Sequence, residues 1–119
     1  MKLLKRIQFK FTNAFNGITA GLKHDRSIEI QVAFIVIAVL AAWFLKISAF
    51  EWIMIILVSG LVVAFEFINS SIELLCDFVT DKQHSPIIKK VKDLSAAAVL
   101  IIALTALLTG LIIFSKYIF

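Results

Sequence analysis

Glu66, Asn69 and Glu73 recur at spacings of three and four in the most apolar part of the chain, with Asp77 one turn beyond them. A helix turns about 100° per residue, so Glu66, Glu73 and Asp77 fall within roughly 40° of one another and Asn69 flanks them. Ionisable groups are costly inside a hydrocarbon layer and mark functional surfaces of membrane helices. One acidic face of this kind attracts protons, cations or a metal-bound phosphate. Lys92 and Asp93 open the next apolar segment and set a cation at the same boundary. These residue types suit phosphoryl transfer, where catalysis is mostly positioning and charge neutralisation, with a base for the attacking hydroxyl. Magnesium prefers carboxylate and phosphate oxygens and keeps several waters, so one or two protein carboxylates suffice to hold it.

The elements that must position these groups follow from composition. The chain has 119 residues, 61% of them hydrophobic, which is too apolar for a soluble domain. Apolar stretches at about Ile30–Leu45, Trp52–Ile68 and Leu94–Phe114 approach or reach the roughly 17–25 residues that cross a bilayer. The pattern predicts an all-α membrane protein with transmembrane helices at about 28–45, 50–76 and 92–115. Ahead of them, Leu4, Ile7, Phe11, Phe15, Ile18 and Leu22 recur at helical spacing among Lys5, Arg6, Lys10 and Asn13. Residues 1–24 therefore read as an amphipathic helix lying in the membrane interface. Gly17 and Gly21 form a GxxxG pair on it, weak evidence for helix packing. The basic N-terminus lacks the apolar core and cleavage site of a secretory signal, and reads as mature sequence.

Ten of the twelve lysines and arginines precede the first span or lie between the second and third; only Lys46 and Lys116 remain for the other side. The positive-inside rule then makes the N-terminus and second loop cytoplasmic. Trp43 and Trp52 bracket the short first loop as interface anchors, and Phe78–Val91, with Pro86 and His84, reads as a connector. Lone Cys76 forms no internal disulfide and reads as a packing residue. Neither GxxxxGK[ST] nor GxGxxG is present, which excludes the familiar soluble nucleotide-binding folds, and no basic-aromatic surface for nucleic acid is visible. Ser70, Ser71, Ser95, Thr105 and Thr109 are expected to bond backbone carbonyls or a neighbouring helix. Two other classes stay open on residues alone: a small ion-coupled transporter or channel subunit using Glu66, and a non-catalytic membrane assembly subunit.

The run Glu66-Phe-Ile-Asn69-Ser-Ser-Ile-Glu73, followed by Asp77, His84 and Lys92-Asp93-Leu-Ser-Ala-Ala-Ala-Val, resembles the signature of the bacterial diacylglycerol kinase family, which includes undecaprenol kinases. Arg6 and Asn13-Ala-Phe-Asn-Gly17 resemble the N-terminal region of that family. The resemblance implies an ATP- and magnesium-dependent lipid kinase of the bacterial inner membrane, a homotrimer with composite sites near the cytoplasmic leaflet. Its acceptor would be diacylglycerol or undecaprenol, and Asp77-Phe-Val-Thr80 is slightly more similar to the undecaprenol branch. By the same resemblance Glu66 would be the catalytic base and Glu73 a magnesium ligand. Arg6, Asn69, Glu73, Asp77, His84, Lys92 and Asp93 would serve the nucleotide. Where the family has a glutamate as second metal ligand this chain has Asp25, with Glu29 as its substitute one turn later. Between His84 and Lys92 the chain is one residue longer than the family pattern.

Overall fold

A computed structural model describes residues 1–119 as four helices: α1 Lys2–His24, α2 Arg26–Leu45, α3 Ala49–Thr80 and α4 Pro86–Ile118. There is no strand, and the last three helices are long and apolar enough to cross a membrane. The architecture is the expected one, a first helix ahead of three spans. The connector is not. Instead of Phe78–Val91, only Asp81–Ser85 links α3 to α4.

Helix length explains that difference. The hydrocarbon layer limits an apolar span to roughly 30 Å, but nothing stops a helix from running on into water with polar residues. With 32 residues, α3 is about 48 Å long. At its end Asp81 and Lys82 turn left-handed, at φ 51° and 61°, and Lys82 N donates to Asp77 O at 3.0 Å. The chain restarts at once. Ser85 caps α4 by accepting from Ile88 N at 3.4 Å, and Pro86 occupies a first-turn position where a missing N–H costs little.

The opposite end of the bundle is knotted. Ala42, Ile47, Ile55 and Ile113 pack together there, supported by Trp52 and Phe114. Ser48 and Glu51 form a capping box on α3, and the buried Glu51 carboxylate also accepts from Lys116 Nζ at 2.8 Å and from the Tyr117 hydroxyl of α4. Apolar side chains gain little from meeting one another in lipid, so packing and such polar ties hold membrane helices together.

Rods α2 and α4 both pack along α3 and scarcely meet each other. Three rods about 10 Å wide cannot fill a body of 51 × 47 × 21 Å, so α1, about 34 Å long, extends the second dimension outward. A single extended residue, Asp25, separates α1 from α2. Only nine residues are buried, and the two polar ones, Glu51 and Glu66, belong to the knotted end and to the acidic face respectively.

Candidate active site

On α3 the acidic residues form a ladder from the interior to water. Counting about 20 residues, or about 30 Å, from the interface anchor Trp52 reaches Ile72. Glu73 therefore emerges at the boundary, and Glu66 lies about 9 Å inside it. Exposure follows the same order: Glu66 is 4% exposed, Asn69 half-buried and Glu73 exposed. Glu66 has no cation beside it. Its sole partner is Gln31 of α2, whose Nε2 donates to Oε1 at 3.3 Å.

Asp25 joins three helices at this level. Its Oδ1 accepts from Ser27 N at 2.9 Å and Ile28 N at 3.3 Å, capping α2, while Oδ2 accepts from the Ser70 hydroxyl of α3. Ser70 lies four positions after Glu66 and three before Glu73 on α3, so its bond to Asp25 brings three carboxylates into one locale. The approach of α1 is set by Gly21. A Cβ there would meet Phe67 Cζ at 2.8 Å and Ile28 Cδ1 at 3.1 Å, so the bare glycine makes room for the ring next to Glu66. Gly17 meets nothing, so the glycine pair is not a helix-packing motif within this chain.

Helix α4 brings the positive charge. Lys92 Nζ lies 2.6 Å from Asp77 Oδ1, one helical turn beyond Glu73 on α3. One turn on, Ser95 Oγ donates to Asn69 Oδ1 at 2.7 Å, leaving the Asn69 amide N–H groups without a protein acceptor. Beyond Lys92 a polar cleft of about 410 Å³ opens between α3 and α4, lined by Asp77, Thr80, His84, Lys89 and Lys92 among others. Its chemistry suits an anion: lysines and a histidine at the start of a helix.

Not every expected residue joins this locale. Glu29 is exposed and sits about 160° around α2 from Gln31, on the side away from Glu66. Asp93 is one position around α4 from Lys92 and pairs outward with Lys89 at 2.7 Å. Arg6 is exposed, about 22 Å along α1 from Gly21. Conversely, Gln31 and the cross-helix roles of Ser70 and Ser95 escape a reading of periodicity. Gln31 carries one signal, as the last polar side chain before the unbroken apolar run Val32–Leu45.

Residues 12–114 match the model of the family described as prokaryotic diacylglycerol kinase. The chain belongs to that family. It is 32% identical over 111 residues to the undecaprenol kinase of Bacillus subtilis, covering 93% of this chain and 89% of that protein. With the diacylglycerol kinase of a Synechocystis species it is 28% identical over 100 residues, 84% of this chain but 57% of that protein. As a member of the prokaryotic diacylglycerol kinase family it is a multi-pass membrane lipid kinase.

Proposed function

We propose that this kinase transfers the γ-phosphate of ATP, with magnesium, to the hydroxyl of undecaprenol at the cytoplasmic leaflet of the inner membrane. Diacylglycerol is the competing acceptor. The observation that carries the reading is the ladder itself. It runs from an uncompensated carboxylate in the bilayer to a lysine-lined cleft in water, so a lipid hydroxyl and a nucleotide can approach one helix face from opposite sides. Undecaprenol is favoured because the relative named for it is matched over 89% of its own length at 32% identity, whereas the diacylglycerol kinase is matched over 57% of its length at 28%. The cytoplasmic assignment rests on the ten basic residues on one side.

In this mechanism Glu66 takes the hydroxyl proton as the lipid oxygen bonds to the γ-phosphorus and the bond to the β-phosphate oxygen breaks, releasing ADP. Lys92 exchanges Asp77 for phosphate oxygen and offsets its charge. Asn69 directs its free amide hydrogens at the same group, and His84 borders the nucleotide cleft. No protein-only metal cage exists, but magnesium needs none, since phosphate and water complete its shell. The donor set fits that ion. Glu73 has no hydrogen-bond or ion-pair partner, and Asp25 Oδ2 takes only the Ser70 hydroxyl. Those two carboxylates would hold the metal, which would neutralise phosphate charge. Arg6 and Asp93, outside the locale of their own chain, would serve a neighbouring copy in a homotrimer. Purified protein in mixed micelles with labelled ATP, magnesium and each lipid tests the proposal. Phosphorylated undecaprenol in excess over phosphatidic acid is expected; folded protein that phosphorylates neither lipid refutes it.

A further inference from the structure

We infer that Gln31 is a positioning residue for the reaction, holding the Glu66 carboxylate in one orientation without neutralising it. The inference rests on the reading of Glu66 as the base. Glu66 is buried, and the carboxamide of Gln31 gives it its single hydrogen bond, to Oε1. Oε2 has no protein donor and is left to accept the proton of the incoming hydroxyl. The chemistry of the partner matters. A lysine or arginine here would form an ion pair and hold the carboxylate against proton transfer, and a second carboxylate would add to the like charges of Asp25 and Glu73. A carboxamide donates directionally and carries no charge. Its placement supports the same role: Gln31 is half-buried on the α2 face that meets α3, thirty-five positions from Glu66 in sequence. An apolar residue would be the ordinary choice at the head of an apolar run, because an amide in hydrocarbon needs a partner.

The test is a double-mutant cycle in mixed micelles, with Gln31→Met (similar shape, no donor, no charge) and Gln31→Glu (same shape, the amide donors replaced by a like charge), each alone and with Glu66→Gln. Loss of a hydrogen bond to a charged group predicts a fall in kcat of roughly ten- to hundredfold in Gln31→Met, and at least as large a fall in Gln31→Glu, where like charge is added, with KM for ATP changed by less than about twofold in both. In the Glu66→Gln background the same changes should cost almost nothing further. Wild-type kcat in Gln31→Glu beside an impaired Glu66→Gln overturns the inference and spares the base assignment, as do fully additive losses. Wild-type turnover in Glu66→Gln overturns the base assignment and the inference with it. Should Gln31→Met lose its fold, as read by melting temperature, the shape-matched Gln31→Glu decides.

Discussion

Replacing Asp25 by asparagine, alanine and glutamate separates the two tasks this residue performs. One is structural: Oδ1 caps α2 through Ser27 N and Ile28 N, and Oδ2 receives Ser70 from α3. The other, proposed, is to hold magnesium with Glu73. Asparagine caps a helix about as well as aspartate and still offers a polar group to Ser70, so Asp25→Asn should change stability by less than about 1 kcal/mol. Alanine loses the cap, about 1 kcal/mol, and a hydrogen bond to a charged acceptor, about 1.5 kcal/mol, for a total of about 2.5 kcal/mol. Activity should sort differently. Asp25→Asn removes a charged oxygen donor and should raise the magnesium concentration for half-maximal rate at least about tenfold, equivalent to about 1.4 kcal/mol. Asp25→Glu keeps the charge, so its magnesium response should stay closer to wild type even though the longer side chain caps poorly. Denaturant unfolding in micelles and magnesium titration of the kinase rate read the two effects separately. An unchanged magnesium response in Asp25→Asn, with a shifted one in Glu29→Gln, would refute the geometry used here.

The other predictions test the rest of the ladder and its supports. Glu66→Gln should lower kcat about a hundredfold or more with nucleotide binding nearly unchanged, whereas Glu73→Gln should weaken magnesium-dependent nucleotide binding; steady-state kinetics and a binding titration distinguish them. Lys92→Met should raise KM for ATP about tenfold or more, measured in the same assay. Gly17→Ala, in open space, should gain up to about 1 kcal/mol of helix stability, while Gly21→Ala should lose stability and activity by displacing Phe67; melting and turnover measured side by side decide it. At the knotted end, Glu51→Gln should lower the melting temperature by weakening the tie to Lys116 of α4 while leaving the magnesium response intact. A shifted magnesium response there would mean that the two ends are not independent.

Local periodicity made much of this protein legible. The apolar runs located three spans, the three- and four-residue spacing of Leu4 to Leu22 located a surface helix, and Glu66, Glu73 and Asp77 shared a face because helix geometry leaves no alternative. The connector was harder to read. The charged and polar residues from Asp77 to Lys92, with Pro86 among them, look like loop, yet Phe78–Thr80 continues α3 and Pro86–Val91 already belongs to α4. The true stops are marked by Asp81 at the end of α3 and by Ser85-Pro86 at the start of α4. Capping chemistry was the better signal there.

Which charge meets which was a matter of how the rods pack. Lys92 and Asp93 are neighbours in sequence, but the α3–α4 interface turns the first toward Asp77 and the second outward to Lys89. Asp25 and its possible substitute Glu29 lie one helical turn apart, and it is the fold that uses the first to cap α2 and turns the second away from Glu66. Gln31 and Glu66 come together only because α2 runs antiparallel to α3 at a depth set by the Asp25 junction and the space at Gly21. Angles within a helix follow from 3.6 residues per turn and belong to the sequence. Rotation and depth of one helix against another depend on side chains far apart in the chain, and only the packed bundle decides them.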